Sequence, residues 1–158
     1  MSTNVAINKI LVPVDGSKLS EKAAEYAIDI AKKRGATIVA THVVHLPAYA
    51  FTPAPLEGMS APTVAPIPVA ISSEQRKIAE KYVNKIKKMA KKSGIKVETK
   101  IIENKQSIVH AITEFAEKEG CDLIVIGTKG RTGIKKFLLG SVASGVVTYA
   151  PCPVLVVR

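Results

Sequence analysis

Glycines near the carboxyl end of the chain have a spacing that suits phosphate binding. Two residues separate Gly127 from Gly130, and nine separate Gly130 from Gly140, which directly precedes Ser141. Without a Cβ, glycine lets backbone N–H groups approach phosphate oxygens, and a helix beginning at Ser141 would add the partial positive charge of its amino terminus. Each of these glycines alone would more often form a turn or a helix cap than a binding site, but their joint spacing predicts an anion site.

Basic residues lie between these glycines. Lys129 and Arg131 flank Gly130, and no acidic residue follows Asp122, so the segment can form charge-assisted hydrogen bonds to an anion. The Walker A and GxGxxG phosphate-binding patterns are absent from the positions where they would be needed. A basic GxxG also occurs in KH domains, but there it joins two helices, whereas Gly127 ends a predicted strand.

The pattern of apolar residues predicts the elements that must position this segment. Short apolar runs predict four strands, at 9–14, 37–44, 122–126 and 154–157, and a fifth strand is predicted at 96–102. Apolar residues at helical spacing predict four helices, at 18–34, 73–94, 107–119 and 141–149. Such alternation is typical of an α/β fold, with an open parallel sheet and helices on both faces. Ligands of these sheets bind at the carboxyl ends of the strands, where the strand order reverses.

The turn after the first strand, Asp15-Gly16-Ser17, is the second candidate site. The Asp15 carboxylate could bind a ligand, or it could satisfy only the N–H groups of the turn. We interpret Ser17 as a helix cap. His42 and His45 are expected to point to opposite faces of their strand, so we assign them no shared metal and no chemistry.

Length and composition limit the architecture. The chain has 158 residues, of which 47% are hydrophobic, which excludes a wholly disordered protein and predicts one domain over residues 1–158. Residues 45–73 hold six of the nine prolines and one charged residue. This composition predicts a long Pro-rich loop without regular structure.

The net charge of +10 suggests anionic partners. Much of it lies on a helix whose lysines recur at three- and four-residue steps, which we interpret as a solvated face in preference to a nucleic-acid site. Cys121 and Cys152 form no CxxC motif and are expected in the core. The uncharged stretch 137–157 is interrupted by glycine and proline, and no signal peptide is visible. We therefore expect no membrane span and a cytoplasmic location.

The pattern Gly127-x2-Gly130-x9-Gly140-Ser141 resembles the ATP-binding signature of the universal stress protein family. The similarity covers the whole chain, through KILVPVDGS, Thr41-His42-Val43, DLIVIGTKG and the terminal PCPVLVV. It implies a Rossmann-like fold of the adenine-nucleotide α-hydrolase type. Its five-stranded parallel sheet would have the order 3-2-1-4-5, with an adenine nucleotide where the order reverses.

The resemblance also implies a set of site residues. Asp15 would lie near the ribose or hold a phosphate-bound Mg²⁺, and the backbone of Val43 would lie near the adenine edge. Gly127 and Gly130 would lie along the ribose and phosphates, and Gly140, Ser141 and Val142 would lie at the phosphates themselves. The expected nucleotide-binding set also includes Pro13, Ile126, Lys129 and Arg131. The expected ligand is ATP with Mg or Mn.

These features favour a regulatory ATP-binding protein of the stress response, with slow ATP hydrolysis at most, because no general base or arginine finger is evident. The alternatives are an ATP-hydrolysing or nucleotidyl-transferring enzyme on the same fold, or a nucleic-acid-binding module. The last strand, 154–157, carries no charge before Arg158 and is expected at a sheet edge. We predict a homodimer in which two copies of this strand pair antiparallel.

Overall fold

A computed structural model describes residues 5–46, 49–51, 66–104, 106–128 and 139–158. The described part contains seven strands and four helices. In chain order they are β1 (Lys9–Pro13), α1 (Lys18–Arg34), β2 (Thr37–His45), β3 (Tyr49–Phe51), β4 (Pro66–Pro68), α2 (Ser73–Lys92), β5 (Val97–Asn104), α3 (Ile108–Lys118), β6 (Leu123–Gly127), α4 (Ser141–Tyr149) and β7 (Val154–Val157).

Five strands form one parallel sheet in the order β5-β2-β1-β6-β7. Numbered among themselves, these strands have the order 3-2-1-4-5, which confirms the predicted fold. The chain builds outward from β1 through β2 to β5 and then crosses to β6 and β7. The order therefore reverses between β1 and β6, where a crevice opens at the carboxyl ends of the strands.

Helices cover both faces of the sheet because the central strands are apolar on both faces. Ile10 and Val12 of β1 pack with α1 and α2, whereas Leu11 packs on the opposite face with α3 and α4. All three side chains are fully buried. The register of β1 is consequently strongly determined, since a slip of one residue would exchange the two faces.

Side-chain caps determine where the helices begin. The Ser17 hydroxyl accepts from the backbone N–H of Ser20 at the start of α1, as predicted. At α2, Ser72 and Gln75 form a reciprocal capping box. Gly35 ends α1 with φ of 70°, a left-handed conformation that glycine adopts without strain. The predicted helical lysines of α2 are exposed: Lys77, Lys81, Lys85, Lys88 and Lys92.

The Pro-rich segment is not free of regular structure, so that prediction was wrong for two short stretches. β3 and β4 pair antiparallel, with Ala50 opposite Ile67. Pro66 and Pro68 are two residues apart, so both positions that lack an N–H face the same edge of β4. Residues 47–48 and 52–65 lie outside the described part of the chain.

A small hydrophobic cluster holds the base of this hairpin. Leu46, just after β2, is buried with Val44 and with Ala79 of α2. Val69 and Ile71, between β4 and α2, pack against the same cluster. Both chain segments that lead to the hairpin are therefore fixed on the side of the sheet formed by β2, β5 and α2.

Two further expectations concern the uncharged stretch and the cysteines. Within the described ranges, no helix has the length and apolar character needed to cross a membrane. Cys121 is buried and Cys152 is half-buried, and both pack against the core shared by α3 and α4.

Candidate functional site

A cavity of about 230 Å³ lies at the carboxyl ends of β1, β2 and β6. Its walls include the eight predicted site residues that the structure describes: Pro13, Asp15, Val43, Ile126, Gly127, Gly140, Ser141 and Val142. The other three predicted residues, Lys129, Gly130 and Arg131, lie outside the described residues. The first and last of these eight residues, Pro13 and Val142, are 129 positions apart in the sequence, and the fold brings them to one cavity.

The turn between β1 and α1 forms one wall of the cavity. Asp15 Oδ1 accepts a hydrogen bond of 3.0 Å from the Ser17 N–H. Ser20 Oγ donates to the Ser17 carbonyl at 2.9 Å and accepts from the Asp15 N–H at 3.4 Å. Among the described residues, no group bonds Asp15 Oδ2. The carboxylate therefore serves the turn through one oxygen and leaves the other for a ligand.

Val43 presents an unpaired stretch of backbone to the cavity. Alternate residues of β2 bond to alternate neighbours: the Thr41 carbonyl accepts from Val14 beside β1, whereas the Ile38 N–H donates to Lys96 beside β5. Val43 lies two residues after Thr41, so its N–H and C=O also point towards the β1 side of β2. At this position β1 has already ended. No loop or turn residue in the described part of the chain bonds to either group.

The two ends of the glycine segment lie next to each other. Thr128, directly after β6, donates its N–H to the Val157 carbonyl at 2.8 Å and accepts from the Gly140 N–H at 2.7 Å. Gly140 is the N-cap of α4 and supplies no side-chain cap. The first backbone N–H bonded within this helix is that of Ser144, to Gly140. Within the described ranges nothing bonds the N–H groups of residues 141–143, so they are available to an anion at the cavity wall.

Helix α3 provides an apolar wall. Ile108 and Ile112 line the cavity together with Val43 and Ile126. Ile112 is buried, whereas Ile108 is 36% exposed. An apolar surface of this kind suits the face of a planar ring, and the polar groups at its edge would orient the ring.

Several lining residues were not predicted: Val14, Ser20, His42, Ile108, Ile112, Thr128 and Ala143. In the sequence, Ile108 and Ile112 have the spacing of ordinary core positions on α3. Ser20 lies in the first turn of α1, three residues after the cap Ser17, and this position was its only signal. His42 directly precedes Val43, and that adjacency could have indicated it.

His42 was assigned no chemistry, yet the structure places it at the cavity. Its Nδ1 lies 2.6 Å from the Val14 carbonyl oxygen. Its ring meets that of Tyr82 edge to face, with centroids 5.2 Å apart and an interplanar angle of 72°. His45 of the same strand is exposed.

Among the described lining residues, Asp15 is the one carboxylate. The described ranges hold no cluster of three or more His, Cys, Asp and Glu residues suited to a metal ion. Mg²⁺ usually binds through one or two carboxylates together with substrate phosphates and water. A single carboxylate therefore fits an ion brought by a phosphate ligand and does not fit a resident metal held by protein groups alone.

Sequence comparison identifies relatives along almost the whole chain. The sequence model of the Universal stress protein family matches residues 6–158. A universal stress protein of Methanocaldococcus jannaschii is 41% identical over 150 residues, covering 95% of this chain and 81% of the relative. Universal stress protein YxiE of Bacillus subtilis is 34% identical over 155 residues, covering 96% of this chain and 99% of the relative.

Solved structures share the fold. A universal stress protein from Archaeoglobus fulgidus superimposes with a TM-score of 0.70 at 24% identity, covering 96% of this chain and 93% of that one. Another from the same organism, in complex with dAMP, has a TM-score of 0.68 at 20% identity, with coverage of 98% and 100%. A universal stress protein in complex with cAMP has a TM-score of 0.66 at 23% identity, with coverage of 97% and 98%.

Proposed function

The chain belongs to the universal stress protein family, and on this premise we propose that it is a regulatory protein that binds ATP in the cavity beside β1, β2 and β6. One observation carries the proposal. The backbone groups of Val43, to which no loop or turn residue of the described ranges bonds, and the uncapped amino terminus of α4 line the same cavity, and the Asp15 carboxylate lies on its wall. The Val43 backbone is complementary to a base, the amino terminus of α4 to a phosphate chain, and the Asp15 carboxylate to a ribose.

The Val43 backbone supports adenine as the base. Adenine presents an amino donor next to a ring-nitrogen acceptor, which match a backbone C=O and N–H. Guanine presents an acceptor and a donor in the reverse order, so like groups would face each other and stay unsatisfied. Each buried unsatisfied group costs about 1–3 kcal/mol. We therefore expect ATP to bind at least about tenfold more tightly than GTP.

The phosphates would lie at the start of α4. The N–H groups of residues 141–143 carry the helix's partial positive charge, and the Ser141 hydroxyl is exposed beside them. Universal stress proteins of this fold have been solved with dAMP and with cAMP, which supports an adenine nucleotide as the ligand class. Lys129, Gly130 and Arg131 complete the proposed set.

We propose that Mg²⁺ or Mn²⁺ arrives with the phosphates and is held by Asp15. Such an ion neutralises phosphate charge when it is bound. The contribution of the chain is Oδ2 of Asp15, which no described residue bonds, on a carboxylate that the Ser17 N–H fixes through Oδ1. The same oxygen could accept from ribose hydroxyls. Both contacts need an oxygen at this position, and the negative charge strengthens both.

Asp15→Asn tests the site most specifically. Asparagine retains an acceptor for the Ser17 N–H, so the turn persists, but the negative charge is lost. Hydrogen bonds to charged groups contribute about 1.5–3 kcal/mol, so we expect ATP affinity in isothermal titration to fall about 10- to 150-fold.

Asp29→Asn is the matched control, because Asp29 is an exposed carboxylate on α1 that pairs with Lys33 at 2.8 Å. It should bind ATP like the parent. Equal affinities of the parent and Asp15→Asn would contradict the role given to Asp15.

ATP turnover distinguishes regulatory binding from catalysis. In the described part of the cavity, Asp15 and His42 are the groups suited to acid–base chemistry, and each is bonded to the backbone of the same turn. We therefore expect hydrolysis to be slow. A turnover number of about 1 s⁻¹, at the low end of ordinary enzymes, would favour the enzyme alternative.

We further propose a homodimer through β7. This strand lies at the edge of the sheet. The Val157 carbonyl bonds inward to Thr128, so the alternation directs the backbone groups of Val154 and Val156 outward. Helix α4, which packs against β7, exposes apolar side chains next to it, including Tyr149 at 72% exposure.

Two copies of β7 could pair antiparallel and satisfy these outward groups. Val156→Pro removes an outward N–H without removing a bond to β6, so it should shift the protein towards monomer. Sedimentation velocity at micromolar concentration measures this shift. A monomeric parent, or a Val156→Pro dimer as tight as the parent's, would contradict the pairing. The cytoplasmic location stays a prediction.

A further inference from the structure

Two aromatic rings contact the turn that carries Asp15. The His42 imidazole approaches the residue before it, with Nδ1 2.6 Å from the Val14 carbonyl oxygen. The Tyr82 ring, from α2, lies against the residue after it, because a Cβ added to Gly16 would overlap the ring atoms of Tyr82. The two rings also contact each other edge to face. Asp15 is therefore flanked on both sides by residues that this pair holds.

The His42 contact has a defined polarity. A carbonyl oxygen only accepts hydrogen bonds, so we assign the imidazole proton to Nδ1. Val14 also donates its own N–H to the Thr41 carbonyl at 2.8 Å. The peptide groups around Val14 are consequently held by two neighbouring residues of β2, Thr41 and His42.

Tyr82 contacts the turn by packing its ring against Gly16. Gly16 has φ of 80°, a conformation that side-chain-bearing residues rarely adopt. The ring occupies the space that a side chain would need there. In the described part of the chain, the Tyr82 hydroxyl makes no hydrogen bond. The contact with the turn is therefore made by the ring and not by the hydroxyl.

We propose that His42 and Tyr82 are positioning residues, which hold the β1–α1 turn so that the Asp15 carboxylate faces the nucleotide. The inference rests on the proposed function, and it adds two residues that touch the turn and act through Asp15. It also links α2 to the cavity, because Tyr82 is the residue of that helix that lies against Gly16.

Two kinds of variant at His42 and Tyr82 test the positioning role: one retains the contact with the turn, and the other removes it. In His42→Asn, the side-chain amide can donate from a position close to Nδ1, whereas His42→Leu has no donor. Tyr82→Phe retains the ring, whereas Tyr82→Leu removes it. His45→Leu is the matched control, because His45 is an exposed histidine on the same strand.

ATP titration of these variants gives the first readout. We expect His42→Leu and Tyr82→Leu to lose about tenfold in affinity, the effect of one hydrogen bond or one well-placed contact. His42→Asn, Tyr82→Phe and His45→Leu should stay within about threefold of the parent. A His42→Asn variant as weak as His42→Leu would overturn the role of the donor.

A double-mutant cycle with Asp15→Asn tests whether the effect passes through the carboxylate. We expect the loss caused by His42→Leu to shrink to less than about threefold in the Asp15→Asn background. A tenfold loss in both backgrounds would overturn the inference, since it would show that His42 acts without Asp15.

Ligand-free NMR distinguishes failure of this inference from failure of the proposed function. Long-range ¹H–¹⁵N spectra should show the His42 proton on Nδ1, and His42→Leu should move the amide signals of Asp15 and Gly16 while His45→Leu does not. If the parent binds no ATP, the proposed function fails and these spectra still decide the positioning role. A proton on Nε2, or unmoved amide signals, would overturn it.

Discussion

Gly127 is the position where one methyl group should disturb both stability and binding. A Cβ at this glycine would lie 2.9 Å from the backbone carbon and oxygen of Leu19 and 3.1 Å from the Ser20 nitrogen. These neighbours belong to the first turn of α1, which cannot rotate away as a side chain could. In Gly127→Ala, the first turn of α1 must therefore move away from β6.

The expected magnitude follows from overpacking of a closely packed region, which costs about 1–3 kcal/mol. For a protein of this size, each kcal/mol lowers the midpoint of thermal unfolding by about 2–4 °C. Ser20 also bonds to the Asp15 N–H, so movement of the turn should displace the carboxylate. We therefore expect Gly127→Ala to melt about 4–8 °C below the parent for a loss near 2 kcal/mol and to bind ATP more weakly.

Circular dichroism during heating and urea titration measures the first effect, and isothermal titration measures the second. Gly94→Ala is the control, because it also replaces a glycine, with φ of 71°, but its added Cβ meets nothing within 4 Å. It should lose some stability through backbone strain and retain ATP affinity. A Gly127→Ala protein with the parent's unfolding free energy and ATP affinity would refute the reasoning.

Two further predictions concern other parts of the fold. Ser72→Ala removes the capping box of α2 and should cost about 0.5–2 kcal/mol, which is measured as a lower melting temperature. Ser93→Ala, at the other end of the helix, should have little effect. Equal melting temperatures for the parent and Ser72→Ala would contradict the cap. Burial raises the pKa of the Cys121 thiol to about 11. In the folded protein, alkylation of this thiol should therefore be slow at pH 8 and accelerate towards pH 11 as the thiolate forms, which peptide mass spectrometry measures. Alkylation at pH 8 that is equally fast in folded and urea-unfolded protein would contradict that environment.

The sheet could be predicted because its strands carry strong local signals. Runs such as KILVP and LIVIG are apolar on both faces, and only a strand covered by helices on both sides buries them. The ends of strands could not be predicted from the apolar residues alone. β5 continues to Asn104, two residues beyond the predicted end at residue 102, because its ladder with β2 extends to the pair His45 and Asn104.

The site could be predicted only in part, for a physical reason. Glycine spacing and Asp15 are properties of one segment each, and they appear directly in the sequence. His42, Ser20 and Ile108 line the cavity because of how separate elements pack, and no local pattern marks them. The β3–β4 hairpin was missed because proline content argues against strands in general, whereas a two-stranded edge tolerates proline on its outer side.

Equilibrium dialysis of the parent protein with ATP, with GTP as competitor, tests the central claim most directly. The protein is first freed of retained nucleotide, and Mg²⁺ is present in both chambers. We predict saturable binding of one ATP per chain, displaced by unlabelled ATP and at least about tenfold less effectively by GTP. Absence of bound ATP at saturating concentration, or equal displacement by the two nucleotides, would contradict an adenine-nucleotide site formed by Val43, Asp15 and the amino terminus of α4.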